Sequence, residues 1–239
     1  MHRAFVYDIS PDSETIELAG PELHHALHVI RVNKGQQVEV FNGKGVVFQT
    51  EVNEVDKRRC LLKITQKDVI MQDPSRVVHL AIAPTKKMER MEWLVEKATE
   101  MGVAKITFLS TKRTERVKLK IERIQKIAAS AVKQSGNPFL PVIKGLVDFD
   151  AFLHFNFDEA QKYLAHCEDY LIDKPHIFHA HPSPSPAIIM IGPEGDFEEN
   201  EIAKAMEKGF NTISIGSNIF RTETAGLLAA HAVILKNTF

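Results

Sequence analysis

Apolar and polar positions divide this chain into two stretches with different periods. In the first 72 residues, short alternating runs at 4–9, 15–18, 37–41, 46–52 and 60–66 read as half-buried strands of a small barrel or sandwich. Asn42-Gly43 is a turn signal between two of them, and Asn33-Lys34-Gly35 turns the chain back into a strand. Residues 22–29 form the one helix expected there. Gln72-Asp73-Pro74 breaks the pattern and places a domain boundary, giving residues 1–72 and 73–239.

Beyond the break, strand and helix signals alternate. Residues 77–83 make a buried-strand run, and Met88, Met91, Leu94, Val95, Ala98 and Met101 follow helical spacing up to Gly102. Trp93, within that Met-rich segment, reads as core. A strand at 106–109, a helix at 119–134 and a strand at 187–191 follow. Asp196-x-x-Glu199 reads as a capping box opening a helix to Lys208, and 212–215 and 222–235 supply the last strand and helix. This order predicts an α/β domain with a mostly parallel sheet. The Pro/His/Ser stretch at 175–186 reads as an irregular connection.

Composition narrows the class. A chain of 239 residues with 44% apolar and 26% charged side chains is ordinary for a folded protein, which excludes collagen-like and wholly disordered readings. The longest nearly apolar run, 227–235, is too short to span a bilayer, and the first ten residues show no signal-peptide pattern. Cys60 and Cys167 alone make no disulfide framework, so a cytoplasmic location is expected. The net charge of −1 hides an asymmetry: residues 76–133 hold 14 basic against 6 acidic side chains, and residues 134–239 hold 7 against 14. A solvated basic face and a phosphate-contacting surface both fit that cluster, and charge alone does not separate them.

Two segments carry chemistry. Ile191-Gly192-Pro193-Glu194-Gly195-Asp196-Phe197 follows a buried strand and precedes a helix. Its glycines let a backbone approach a ligand closely, but it lacks the Lys-Ser/Thr of a phosphate loop and the dinucleotide fingerprint. Asp196, Glu198 and Glu199 suit a cationic or neutral ligand better than a triphosphate. Ile215-Gly216-Ser217-Asn218-Ile219-Phe220-Arg221 repeats the strand, glycine turn and helix order. Arg221 faces the positive end of the helix dipole, so it needs either a partner such as Glu223 or a task. His24, His25 and His28, and His176, His179 and His181, form two clusters, yet neither has a cysteine or a carboxylate at metal-site spacing, so no metal is expected.

IGPEGDF followed by ISIGSNIFRTETA resembles the signature of the SPOUT superfamily of S-adenosylmethionine-dependent RNA methyltransferases. With MHRAFV, ELHHALHVIRVNKGQQVEVFNGKG, KKMERMEWLVEKATEMGV, RTERV and AVKQSGNPFLPVI in order, the chain is more narrowly similar to the RsmE family. That family methylates N3 of a uridine in 16S, small-subunit, ribosomal RNA. Asp196 stands where the family commonly has a second glycine.

The resemblance implies a PUA-like β-barrel RNA-binding domain followed by a SPOUT domain with a deep C-terminal trefoil knot, acting as a homodimer. It implies that S-adenosylmethionine lies among the loops holding Leu164, His166, Ile191, Gly192, Pro193, Glu194, Gly195, Ile215, Gly216, Ile219, Phe220 and Ala225. It points to RNA contacts at Arg3, His24, His25, Arg31, Lys44, Lys86, Arg113, Arg116, Arg123 and Gln134. The sulfonium carries its own leaving group, so the protein must orient the reactants and stabilise the uridine anion formed at N3. Arg221 is the catalytic candidate, as a permanently charged clamp. Glu194 and Glu223 are the candidates for a general base, if one exists. Two competing readings remain open: a related enzyme with another RNA target, and a non-catalytic RNA-binding protein. The second gives the glycine turns no use.

Overall fold

Five strands account for the alternating stretch: β1 (His2–Phe5), β2 (Thr15–Glu17), β3 (Gln37–Phe41), β4 (Val46–Val55) and β5 (Cys60–Val69). They come from a computed structural model that describes residues 2–10, 12–115, 118–157, 159–167 and 174–239. The sheet order is β1-β3-β4-β5-β2, with β1 parallel to β3 and the other pairs antiparallel. Alternation buries Val38, Val40, Phe48, Val52, Cys60 and Leu62 on one side. At the β3–β4 turn, Oδ1 of Asn42 accepts from the amides of Lys44 (2.8 Å) and Val46 (3.1 Å). Gly43 and Gly45 take φ of 72° and 86° there, a region costly for other residues. The expected helix is α1 (Gly20–His24), continuing as π-helical turns over His25–Ile30 until Arg31, at φ 58°, reverses the chain.

This compact unit comprises Met1–Gln72 together with Ala129–Leu140. The returning segment packs Val132, Ala129 and Leu140 on Phe5, Phe41 and Val47. Arg3 bridges Glu39 (3.1 Å) and the carbonyls of Lys133 (3.1 Å) and Gln134 (2.9 Å), where a cation offsets the exposed carbonyls of a helix end.

The second unit comprises Asp73–Ala128 and Pro141–Phe239. Its strands are β6 (Val78–Ile82), β7 (Lys105–Ser110), β8 (Val142–Asp148), β9 (Gln161–Ala165), β10 (Ala187–Ile191) and β11 (Asn211–Ile213). They form one parallel sheet in the order β11-β9-β10-β6-β7-β8. All five residues of β6 and of β10 are buried, the continuous apolar run of a strand covered on both faces. The helices are α2 (Met88–Glu100), α3 (Ile121–Ser135), α4 (Phe149–Leu153), α5 (Ile177–Ala180), α6 (Glu199–Glu207) and α7 (Thr222–Thr238). Residues 129–135 of α3 belong to the first unit. Sequence periodicity located α2, α3, α6 and α7 but not β8, α4, β9 or α5.

Two expectations are corrected. Trp93 is 45% exposed on α2, while Met91, Leu94, Val95 and Ala98 fill the core face, because Trp93 falls off that face. The capping box at α6 is formed by Glu198 and Glu201, whose side chains reciprocally accept from backbone amides, so the helix starts two residues later than the Asp196 reading. Gly226 passed unnoticed in the sequence. A Cβ there would stand 2.9 Å from Cδ1 of Ile82, so a larger residue would displace that side-chain end where α7 lies on β6.

His79 of β6 is 5% exposed, hydrogen-bonded to Oγ1 of Thr107 at 2.8 Å and in edge contact with Phe152 and Phe157. Burial, helped by Lys105 and Lys144, pushes its pKa down to about 3, so it stays neutral in the fold. The unfolded chain gains a proton below pH ~6.5, so this group's contribution to stability is present above that pH and lost towards about 3. The slope attributable to His79 is at most ~1.4 kcal/mol per pH unit. Urea melts at pH 7 and pH 5 are expected to show a smaller difference for His79→Gln than for the native chain.

Candidate functional site

Because β6, β10, β9 and β11 run parallel, their C-terminal ends share one edge, and the following loops gather there. The backbone ties them together. Ala83, just past β6, donates to the carbonyl of Ile191 at 3.0 Å, and the Lys86 amide donates to Oε1 of Glu194 at 3.3 Å. The loop after β10 turns through Gly192 and Pro193, both buried, then exposes Glu194 and Gly195.

Asp196 is the hinge of that loop. Its φ of 62° is left-handed, and its carboxylate accepts from two amides, Phe197 through Oδ1 (2.8 Å) and Cys167 through Oδ2 (2.6 Å). Cys167 follows β9, so this one side chain joins two adjacent loops. From the other side, Arg113, in the loop after β7, donates through Nη1 to the carbonyl of Gly195 at 2.6 Å. A Cβ on Gly195 would stand 3.3 Å from Cδ of Arg113, so glycine makes room for that approach. The Lys112 amide donates to Oε1 of Glu201 at 2.8 Å, fixing the same β7 loop to the start of α6.

The turn after β11 is held by histidine chemistry inside the stretch read as an irregular connection. His176 pairs with Ser214 as a parallel bridge, and its Nε2 donates to the carbonyl of Ile215 at 2.8 Å. Its Nδ1 then accepts from the Phe178 amide at 3.2 Å, which fixes the tautomer. Oγ of Ser214 both accepts from the amide of Gly216 and donates to its carbonyl, each at 3.2 Å. His181 is buried, its Nε2 donating to Oδ1 of Asn237 and its Nδ1 accepting from the Tyr163 hydroxyl, both at 3.1 Å. Burial lowers the His181 pKa and pushes Tyr163 up to about 12. His176 and His181 thus hold backbone and core.

Arg221 is the N-cap residue of α7 and is exposed, and its side chain has no hydrogen bond or ion pair among the described residues. The expected partner, Glu223, is taken by Arg90 of α2, whose Nε lies 3.5 Å from its Oε1. Nη1 of Arg90 lies 4.0 Å from Oε1 of Glu194. One guanidinium therefore spans the loop after β10 and the first turn of α7. Neither Arg90 nor this network was legible in the sequence, since the residues are more than 100 positions apart.

Of the other cofactor candidates, Leu164 and Ile191 have buried side chains, leaving strand-end backbone to face a ligand. His166 binds Lys174 Nζ through Nδ1 (3.2 Å) and its carbonyl (3.1 Å). Phe220 lies against Gly216, where a Cβ would stand 3.2 Å from its ring, while Ile219 is 85% exposed. The Ala225 amide donates to the carbonyl of Arg221 as part of the first turn of α7.

The RNA candidates divide between the units. Arg3, His24, His25, Arg31, Lys44 and Gln134 belong to the first, with the rings of His24 and His28 4.7 Å apart and Lys44 3.7 Å from Asp8. Lys86, Arg113 and Arg123 belong to the second, where Lys86 pairs with Glu115 at 2.8 Å and Arg123 with Glu92 at 2.7 Å. Arg116 lies outside the described residues.

A parallel α/β sheet whose loops meet at its carboxyl edge has the place where open α/β domains bind ligands, and sequence comparison specifies the family. Residues 72–234 match the family described as an RNA methyltransferase domain, and residues 18–65 match the RNA methyltransferase PUA domain. The chain belongs to this RNA methyltransferase family. It is 30% identical over 234 residues to ribosomal RNA small subunit methyltransferase E of Bacillus subtilis, covering 93% of this chain and 90% of that protein. The ribosomal RNA small subunit methyltransferase E of Neisseria gonorrhoeae, crystallised with bound S-adenosyl methionine, superposes with a TM-score of 0.82 at 27% identity. That comparison covers 97% of this chain and 96% of the other. A probable rRNA-methyltransferase of Porphyromonas gingivalis superposes with a TM-score of 0.91 at 30% identity, covering 100% of this chain and 99% of that one.

The Asp196 latch has a measurable consequence. Asp196→Gly keeps the left-handed turn accessible but removes both side-chain acceptors. Hydrogen exchange at the amides of Cys167 and Phe197 is expected to accelerate about tenfold, equivalent to one hydrogen bond of ~1.4 kcal/mol. Global unfolding should shift little, because relief of the positive φ offsets part of the loss.

Proposed function

We propose that this chain uses S-adenosylmethionine to methylate N3 of a uridine in 16S ribosomal RNA. The observation that carries the reading is the full-length similarity to small-subunit methyltransferases of this name, combined with three ligand loops meeting at the ends of β9, β10 and β11. The residues suit such a cofactor. Gly195 and Gly216 expose backbone at two of the loops, and Glu223, linked through Arg90 to Glu194 in the first, keeps a buried carboxylate oxygen without a partner. When bound, S-adenosylmethionine supplies a methyl group on a sulfonium. The loops carrying Ile191–Phe197, Ile215–Phe220 and His166 would hold it, with Asp196 and His176 fixing their backbone.

The target base adds its own requirement. Uracil N3–H is weakly acidic, and the nucleophile is its anion, so a fixed positive charge near N3 lowers the barrier. Arg221 is exposed at the start of α7 and already unpaired among the described residues, so it serves that role without breaking an ion pair. Residues 1–72, with the 129–140 segment that packs into the same unit, act as the PUA-like RNA-binding domain, and the remainder of 73–239 as the SPOUT domain, whose C-terminal segment forms a trefoil knot. Lys86 and Arg123 contact phosphates, since their exposed ion pairs are worth ~0–1 kcal/mol and exchange readily, and Arg113 joins them from its place on the Gly195 carbonyl. The enzyme works in the cytoplasm as a homodimer on the small ribosomal subunit.

Mapping methylated nucleosides in ribosomal RNA from a deletion strain tests the reading. Loss of one N3-methyluridine, restored by the native gene, supports it, and an unchanged map overturns it. Within the site, Arg221→Ala should lower single-turnover methyl transfer by about 10²–10³-fold, the loss typical of one preorganised electrostatic partner. Cofactor affinity should hold, lysine should restore only part of the rate, and raised pH should partly rescue alanine.

A further inference from the structure

Glu223 is buried, with 5% of its surface exposed, in the first turn of α7. Oε1 faces Nε of Arg90 at 3.5 Å. Oε2 is shut off from solvent and receives no hydrogen bond, the one buried side-chain oxygen or nitrogen in that condition among the described residues. Leaving a buried acceptor unmade costs about 1–3 kcal/mol, and more for a charged group. Arg90 engages only Oε1 and not both oxygens of a bidentate pair. The second has lone pairs and no donor.

Its surroundings indicate what would complete it. The guanidinium of Arg90 stands between Glu223 and Glu194, whose Oε1 is 4.0 Å from Nη1. That cation fills the space where a metal ion would draw on both carboxylates. The vacant oxygen therefore calls for a neutral or cationic hydrogen-bond donor. Two residues away, Arg221 opens the same helix, and Arg90 joins the Glu223 carboxylate to Glu194 in the loop after β10.

We infer that Oε2 of Glu223 accepts an N–H from the bound ligand, and that Arg90 is the positioning residue that holds the carboxylate for it. The inference rests on the methyltransferase reading, which offers two sources of that donor: N3–H of the target uracil, and the amino groups of the cofactor. Arg90 anchors Oε1, so the side chain presents Oε2 in a fixed direction, and its contact with Glu194 couples this acceptor to the glycine loop.

Glu223→Gln and Arg90→Lys test it. Glutamine keeps the shape but loses the charge and can put an amide donor where the acceptor was. Lysine keeps a charge at position 90 but loses the fork that reaches two carboxylates. S-Adenosylhomocysteine affinity is measured by calorimetry, single-turnover methylation on small ribosomal subunits by radiolabel, and folding by thermal melts. A loss of affinity of about tenfold or more in both variants assigns the donor to the cofactor. Affinity within twofold of native, with a rate loss of about 10²-fold or more and an altered pH–rate profile, assigns it to the base. Folded variants that change neither readout beyond twofold overturn the inference. Should glutamine unfold the chain, Arg90→Lys, which leaves Glu223 in place, decides by the same criteria. Failure of the native protein to bind S-adenosylhomocysteine and to methylate overturns the functional reading itself, which separates the two failures.

Discussion

The parallel pairing of β10 with β9 on one side and β6 on the other is the constraint from which the site follows. Ala187–Ile191 is apolar throughout and buried on both faces, so it must lie inside the sheet, where each backbone group finds a partner. Once Ile191 is level with Ala165 and Ile82, the chain leaves all three strands at one edge. β11 adds its end at the same level, with Ile213 opposite Ala165. The loops need no long-range attraction to meet, since strand register delivers them.

What remains is to hold irregular backbone in one shape, and side chains do this in three different ways. Asp196 uses a carboxylate to capture the amides of Cys167 and Phe197, His176 uses a fixed tautomer to capture the carbonyl of Ile215, and Arg113 captures the carbonyl of Gly195. Each satisfies a polar group that a turn would otherwise leave to water. Asp196 sits at a positive φ, where its side-chain hydrogen bonds compensate for a conformation that glycine would adopt freely. Arg113, an RNA candidate from the sequence, therefore has a structural partner in the loop proposed to hold the cofactor.

The first unit shows how far local pattern extends. Its five strands and the Asn42-Gly43 turn follow from alternation and turn chemistry. The Ala129–Leu140 segment does not. Val132 is read as one apolar position of an amphipathic helix, and nothing local says that its partners are Phe5, Phe41 and Val47, far earlier in the chain. Arg3 likewise enters from the sequence as an RNA candidate, while the fold engages it with Glu39 and two carbonyls of α3.

The sequence by itself determined the α/β class, the change of pattern near Gln72, the two strand-glycine-helix segments and Arg221 at the head of the last helix. These depend on period, turn residues and apolar runs, which are local properties. Tertiary structure decided the strand order, the exposure of Trp93, the replacement of Asp196 by Glu198 as the cap, and the partner of Glu223. Each of those turns on which distant groups compete for one position. Arg90, 133 positions before Glu223, takes its carboxylate where Arg221 stood two residues away, because Arg221 is exposed at the N-cap and α2 packs against α7. Proximity along the chain fixes where a residue starts, and packing fixes what it touches.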